Sequence, residues 1–218
     1  LQLVERGELE LDGDIAEIVE FDIRNPYYPD TPITLRQIMS HTATFSDEYH
    51  YTRATHGEIT ALRYVLDGNY VKNNFLKRKP GTAVAYSNFG GGMLGSIIEQ
   101  MSGYTIDEYM QRYVFNPLGI SAGYHTPCLL AGTEIARVYN VESTGMTLDP
   151  MSNDDEHWDP EPEYNEVHTA GAMIISAEGL AKILIALAGD GSVDGVQILA
   201  PETVQAMRTR QDNIGSVT

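Results

Sequence analysis

The chain has 218 residues, of which 42% are hydrophobic, and its 14 basic and 31 acidic residues give a formal net charge of -17. This length and hydrophobic content support one sizeable core, or one large domain with a smaller lobe. A chain this acidic repels phosphate backbones and anionic headgroups, which excludes nucleic acid and anionic lipid as expected partners. No apolar run approaches the ~18 residues that span a bilayer, so no membrane span is predicted.

The single cysteine, Cys128, excludes an internal disulfide and leaves the redox compartment open. A small apolar filler between Pro127 and Leu129 is favoured over a nucleophile at this position.

The first part of the chain predicts short helices separated by irregular segments. Residues 1–6 have the character of a helix end that Gly7 stops. A short helix is expected at 15–19, and prolines keep 25–32 extended. Thr34 is the expected N-cap of a helix whose buried face is Leu35, Ile38 and Met39.

The central part predicts a loop, at 42–57, and then three helices. The first is expected at 58–66, and the second is an amphipathic helix opened by the glycines at 90–92 and stopped by Gly103. Thr105 and Glu108 form a capping-box pattern that starts the third. Its expected buried residues are Ile106, Tyr109, Met110 and Tyr113.

The last part of the chain predicts an exposed acidic loop and two helices. The loop, at 153–166, contains prolines and many like charges, and solvated acidity is favoured over a cation or partner site. Ser176 starts a helix, and Pro201 at N1 starts another, with Val204 and Met207 inward. The apolar face of the first is expected at Leu180, Ile183, Leu184 and Leu187.

The order of several motifs resembles the serine β-lactamase and penicillin-binding-protein hydrolases, which include class C β-lactamases, D-alanyl-D-alanine peptidases and small-ester hydrolases. The matching stretches run along nearly the whole chain: Leu3 to Asp12, Ile33 to Thr42, Pro80-Gly81-Thr82 with Tyr86-Ser87-Asn88, Asn116 to Gly119, Ala170-Gly171-Ala172 with Ser176 to Ala181, and Pro201 to Val204. Each stretch is weak alone, and together they are specific.

The resemblance implies an α+β fold, in which an antiparallel sheet with flanking helices lies beside a helical lobe. This chain is expected to be one partial domain. It would supply the helical lobe and its junctions at 1–80 and 80–190, and the lead-in to closing strands at 190–218. The sheet would then lie largely outside these residues.

Members of the family acylate a serine in Ser-x-x-Lys, whose lysine lies one helix turn away. A tyrosine shares the proton transfer with that lysine. Because a phenol titrates near pH ~10, cationic neighbours must favour its anion. A last motif, Lys-Thr-Gly or a His-x-Gly relative, lies on a strand that supplies an oxyanion-hole amide.

The chain contains no Ser-x-x-Lys, no Lys-Thr-Gly and no His-x-Gly. In the family, Ser-x-x-Lys falls just upstream of the position of Leu1, and the closing strand falls after Thr218. We therefore expect a hydrolase represented without its nucleophile, and this chain alone to be inactive.

The Tyr-x-Asn motif is present, and the resemblance implies that Tyr86 is catalytic and that Asn88 holds the substrate. Ser87 and His168 are further candidates for substrate binding, although a turn hydroxyl and a structural histidine are the competing interpretations. His41 is expected to be structural. No cofactor is implied, and His157 and His168 lack a zinc-type spacing.

Two alternatives remain open. One is a non-catalytic helical binding module derived from the same scaffold, acting through the acidic loop. The other is an elbow-type esterase that uses Ser121 within Gly119-x-Ser-x-Gly123, which needs a strand before the serine and a helix after it.

The motifs do not select one substrate, since the shape of the cleft sets specificity. The resemblance suggests a small-molecule or peptidoglycan-peptide substrate and export from a bacterial cytoplasm. Self-association is expected if apolar helix faces stay uncovered.

Overall fold

A computed structural model describes residues 1–19, 23–47, 74–124, 135–136, 139–142, 145–148, 167–171 and 173–211. The predicted helix at 58–66, the acidic loop at 153–166, Cys128 and His157 lie outside these residues. The described helices are α1 (Gln2–Glu5), α2 (Ile15–Ile18), α3 (Leu35–Met39), α4 (Asn88–Ser102), α5 (Ile106–Met110), α6 (Val167–Gly171), α7 (Ala177–Ala188) and α8 (Pro201–Arg208). Within the described ranges, none of them is long and apolar enough to cross a bilayer.

The strands of the described chain form three antiparallel pairs. They are β1 (Ala122–Gly123) with β4 (Ile174–Ile175), β2 (Tyr139–Glu142) with β3 (Gly145–Leu148), and β5 (Ser192–Val193) with β6 (Val196–Gln197). The predicted shortage of strands is therefore confirmed, since helices dominate the residues that the structure describes.

Side-chain caps set the starts of two helices at the residues that the sequence predicts, Thr34 and Thr105. Thr34 accepts from the backbone N–H of Gln37, whose side chain reaches back to the Thr34 N–H, so α3 starts in a capping box. Thr105 and Glu108 form the same arrangement at α5. Helix α5 continues into a π-helical turn, Gln111–Phe115, which the sequence does not predict, and the helical run ends before Asn116 as expected.

Helix α4 is central to the main hydrophobic core. It contributes Phe89, Met93 and Ile97, each less than a tenth exposed, to a cluster that also contains residues of α1, α2 and α3. The helix begins at Asn88, two residues before the glycine run that was expected to open it. A second cluster lies around the π-helical turn and β1, and it contains Phe115, Leu118, Ile120, Ala122, Ala186 and Val193.

Glycines on α4 allow α6 to approach closely. A Cβ atom added at Gly91 would lie 3.3 Å from the Cα of Ala170. One added at Gly95 would lie inside van der Waals contact with the methyl of Thr169 and 2.8 Å from its Oγ1. Because that Oγ1 donates to the carbonyl of Gly91, at 3.0 Å, the threonine cannot rotate away without losing a hydrogen bond.

Several apolar side chains that were expected to be buried are exposed. On α7, Leu180 and Leu184 are 41% and 56% exposed, and the buried residues are Gly179 and Ala186. Met207 on α8 is also exposed, whereas Val204 beside it is buried as predicted. Met39 is likewise exposed, while Leu35 and Ile38 of the same helix are buried. Helical periodicity identifies an apolar face but does not say whether another element covers it.

The approach of α6 to α4 predicts that Gly95→Ala destabilises the fold. The new methyl must displace Thr169, and we expect a loss of about 1–2 kcal/mol in the free energy of unfolding, despite the better helix propensity of alanine. Gly171→Ala is the matched control, because no atom lies within 4 Å of a Cβ added there. Urea titration of both variants would contradict the packing argument if Gly95→Ala were the more stable of the two.

An ion pair joins Asp12 to α3. Arg36 donates to both carboxylate oxygens of Asp12, at 2.6 and 2.8 Å, and also to Oε1 of Gln211 at 2.9 Å. The hydrogen bonds from Arg36 lower the pKa of Asp12 below its ordinary value.

Because the pKa of Asp12 is lower in the folded than in the unfolded chain, its ionised form stabilises the fold at pH values above the unfolded pKa of ~3.9. This stabilisation is lost as the pH falls through the pKa of the folded state. Because both side chains are more than a third exposed, the contribution is below about 1 kcal/mol. We expect Asp12→Asn to unfold slightly more easily than wild type near neutrality and equally in strong acid. Urea titrations at several pH values would refute this if the difference in free energy of unfolding between wild type and Asp12→Asn became larger in acid.

Candidate active site

The Tyr86-Ser87-Asn88 segment lies at the start of α4. The chain approaches it in an extended conformation, held by a hydrogen bond from the Ala85 N–H to the carbonyl of His41 at 2.7 Å. Ser87 is the N-cap, and its Oγ accepts from the Gly90 N–H at 3.1 Å. Local capping chemistry therefore fixes where the motif lies relative to the helix axis.

Tyr86 presents its hydroxyl next to the side chain of Asn88. The phenol donates to Oδ1 of Asn88 at 2.9 Å, and Tyr86 is 66% exposed. The ring lies against the imidazole of His41, with centroids 4.7 Å apart and planes tilted by 40°. The structure therefore brings the two predicted residues of the Tyr-x-Asn motif into direct contact.

The carboxylate of Asp47 organises this helix start. Its Oδ1 accepts from Ser87 Oγ at 2.8 Å and from the Phe89 N–H at 3.1 Å. Its Oδ2 accepts from the backbone N–H and the Nδ2 of Asn88, at 2.7 and 2.9 Å. Four donors converge on one carboxylate, whose negative charge also complements the positive end of the helix dipole.

His41 supports the site from the loop that follows α3. Its backbone has φ of 55°, an uncommon conformation for a residue other than glycine, and Nδ1 faces the Ser87 N–H at 3.4 Å. The expectation that His41 is purely structural stays a prediction, although its ring contacts the candidate catalytic tyrosine.

Aromatic packing anchors the loop that carries Asp47. Phe45 is buried, and its ring lies 5.0 Å from that of Phe89 in an edge-to-face arrangement and 5.4 Å from that of Phe75. The backbone of Ser46 also donates to the carbonyl of Asn74 at 2.8 Å. These contacts keep Asp47 in register with the start of α4.

Sequence reasoning missed Asp47. The segment that contains it, 42–57, has no periodicity and carries several polar residues that are equally plausible. The contacts that define its role join residues about 40 positions apart, as the hydrogen bond from Ser87 Oγ shows. The sequence carries no signal that separates Asp47 from its polar neighbours, and only the structure shows that it follows the buried run of Thr42 to Phe45.

The structure bears differently on the two remaining candidates, His168 and Ser121. His168 belongs to α6, which packs on the first half of α4, but its side chain lies outside the described residues. Ser121 follows a helical turn and precedes β1, so the described chain has helix before the serine and strand after it. An elbow needs the reverse order, and this geometry argues against Ser121 as a nucleophile. Among the described residues, no cluster of three or more His, Cys, Asp or Glu side chains is placed to hold a metal ion.

Comparison with known proteins identifies the family. The family model described as Beta-lactamase matches residues 1–216, which is almost the entire chain. The chain belongs to the beta-lactamase family. The resemblance drawn from the Tyr-x-Asn motif and its neighbours is therefore confirmed.

Curated relatives of this beta-lactamase family chain include penicillin-binding and esterase proteins. Penicillin-binding protein 4 of Amycolatopsis lactamdurans is 25% identical over 95% of this chain and 52% of its own length. Lovastatin esterase of Penicillium rubens is 31% identical over 58% of this chain and 36% of its own length. The chain spans about half the length of the curated relatives that it matches most fully.

Solved structures show the fold. The octameric penicillin-binding protein homologue from Pyrococcus abyssi superposes with a TM-score of 0.72, at 22% identity, over 95% of this chain and 45% of that one. At this identity the likeness is evidence for the fold alone. The helix-rich residues of this chain therefore belong to an α+β, penicillin-binding-protein-like fold, as the sequence predicts.

Proposed function

We propose that the full polypeptide carrying this chain is a serine acyl hydrolase or transpeptidase, in which Tyr86 transfers the proton and Asn88 holds the acyl side of the substrate. The observation that carries the proposal is the 2.9 Å hydrogen bond between the exposed Tyr86 hydroxyl and Asn88 Oδ1, at the start of α4 in a beta-lactamase family chain. His168 is proposed as a further residue that lines the substrate cleft. Ser87 is proposed to support substrate binding from beneath, because it is buried and its hydroxyl is already bonded to Gly90 and Asp47.

The different roles proposed for Tyr86 and Asn88 follow from the chemistry of their side chains. As its anion, a phenol oxygen can accept a proton from an attacking hydroxyl, and the neutral phenol formed in this way can return that proton to a leaving group. An amide offers both a donor and an acceptor, which suits the orientation of a substrate carbonyl or amide. The nucleophile is proposed to lie outside these 218 residues, because the chain contains no Ser-x-x-Lys.

The substrate is proposed to be an acyl compound whose carbonyl carbon is attacked: a β-lactam, a D-alanyl peptide or a small ester. Two relatives carry names that refer to penicillin binding and to lovastatin ester cleavage. The first two kinds of substrate share an amide carbonyl, and all three are opened by attack on a carbonyl carbon. One proton carrier beside one orienting amide is compatible with each of them.

The location of the nucleophile can be tested by intact mass. We expect the 218-residue chain to gain no stoichiometric adduct with a serine-reactive fluorophosphonate or with a β-lactam. The full polypeptide should gain one, because it would contain the activated serine. An adduct on the 218-residue chain would mean that a serine such as Ser121 is the nucleophile. No adduct on either chain would favour a non-catalytic binding module.

The role of Tyr86 can be tested in the full polypeptide with Tyr86→Phe. Removal of the hydroxyl removes the proton carrier, and we expect kcat/KM for a small activated ester to fall by about 10²–10⁴-fold. Tyr104→Phe is the matched control. Tyr104 lies beyond the far end of α4, whose 15 residues span about 22 Å. Steady-state kinetics in which both variants behave alike would remove Tyr86 from the reaction.

A further inference from the structure

We infer that Asp47 is a positioning residue that fixes the orientation of the Asn88 side-chain amide and thereby directs the Tyr86 hydroxyl. The inference rests on the proposed function and extends it to a residue outside the Tyr-x-Asn motif. Its basis is the chain of contacts in which Asp47 Oδ2 accepts from Asn88 Nδ2 and Asn88 Oδ1 accepts from Tyr86.

The chemistry of a carboxylate selects one of the two orientations of the amide. An ionised carboxylate only accepts hydrogen bonds, so the end of the Asn88 amide that faces Asp47 must be the nitrogen. The oxygen is then turned toward Tyr86. The flipped amide would place two oxygens against each other and an NH₂ group against the phenol. Asp47 therefore decides that the Tyr86 hydroxyl meets an acceptor.

This orientation also defines what Asn88 offers to a substrate. The amide nitrogen carries two protons, and the bond to Asp47 uses one of them. The second proton and the remaining lone pair of Oδ1 are the groups that a bound acyl compound can meet. Loss of Asp47 would let the amide rotate, and a small displacement of an orienting group is enough to cost about 10²-fold in rate.

Asp47 also caps α4, since it accepts from the backbone N–H groups of Asn88 and Phe89. A loss of activity on mutation could therefore come from a frayed helix. The two roles differ in one respect, because only the positioning role passes through the Asn88 side chain. Capping uses backbone donors that remain when that side chain is truncated.

A double-mutant cycle in the full polypeptide separates the roles. We expect Asp47→Asn to lower kcat/KM for a small activated ester by about 10–100-fold. In the Asn88→Ala background, where no amide remains to be oriented, the same substitution should lower it by less than about threefold. An equal effect in both backgrounds would mean that Asp47 is only a helix cap, and the inference would be overturned.

Asp14→Asn is the matched control. Asp14 also accepts at a helix start, from the Ala16 N–H at 3.1 Å, and it pairs with Arg24. The Asp14→Asn substitution makes the same chemical change at a helix cap that has no bond to Asn88. We expect its kcat/KM to stay within about twofold of wild type, and a loss as large as that of Asp47→Asn would overturn the inference.

A spectroscopic measurement does not depend on catalysis or on the folding of a variant. In the ¹⁵N–¹H spectrum of the full polypeptide, one of the two Asn88 side-chain amide protons should exchange with solvent much more slowly than the other, because it is bonded to Asp47. Equally rapid exchange of both protons would overturn the inference even if the enzyme were active. If the amide were protected and wild type neither hydrolysed esters nor formed an adduct, the proposed function would fail while the positioning geometry stood.

Discussion

The start of α4 depends on a cap that comes from a distant part of the chain. The first half of the helix contains glycines at 90, 91, 92 and 95, and each costs about 1 kcal/mol relative to alanine in a helix interior. Ser87 Oγ satisfies the Gly90 N–H, and the Asp47 carboxylate satisfies those of Asn88 and Phe89. Without these acceptors, the least helical part of α4 would begin with unpaired donors.

The glycines that weaken α4 in isolation also explain how it is held. Gly90 lies against Ile38 and Phe45, and the face at Gly91 and Gly95 lies against Ala170 and Thr169. Side chains at these positions would push α3 and α6 away. Tertiary packing, rather than helix propensity, therefore stabilises this part of α4, as it does for most helices in proteins. The position of Tyr86 follows from this packing, because it precedes the N-cap by one residue.

Much of the local structure could be predicted, because its causes are close together in the sequence. The N-cap at Thr34 and the capping box at Thr105 join residues three positions apart, and both are found. Asp47 could not be predicted, because its partners lie about 40 residues away. The exposure of Leu184 could not be predicted either, since the α7 pattern carries no information about what covers it. Self-association through that apolar face stays a prediction.

One carboxylate therefore couples stability to the geometry of the proposed site. A backbone cap can be supplied by Ser, Thr, Asn or Asp, and Ser87 already supplies one. The Asn88 amide demands more, namely an acceptor without a competing donor, and among these four residues only an ionised aspartate meets that demand. A hydroxyl at position 47 could accept from a backbone N–H, but it could also donate, and so it would not fix which end of the Asn88 amide faces it. This difference is the basis for the positioning role inferred for Asp47, which the Tyr-x-Asn motif alone does not reveal.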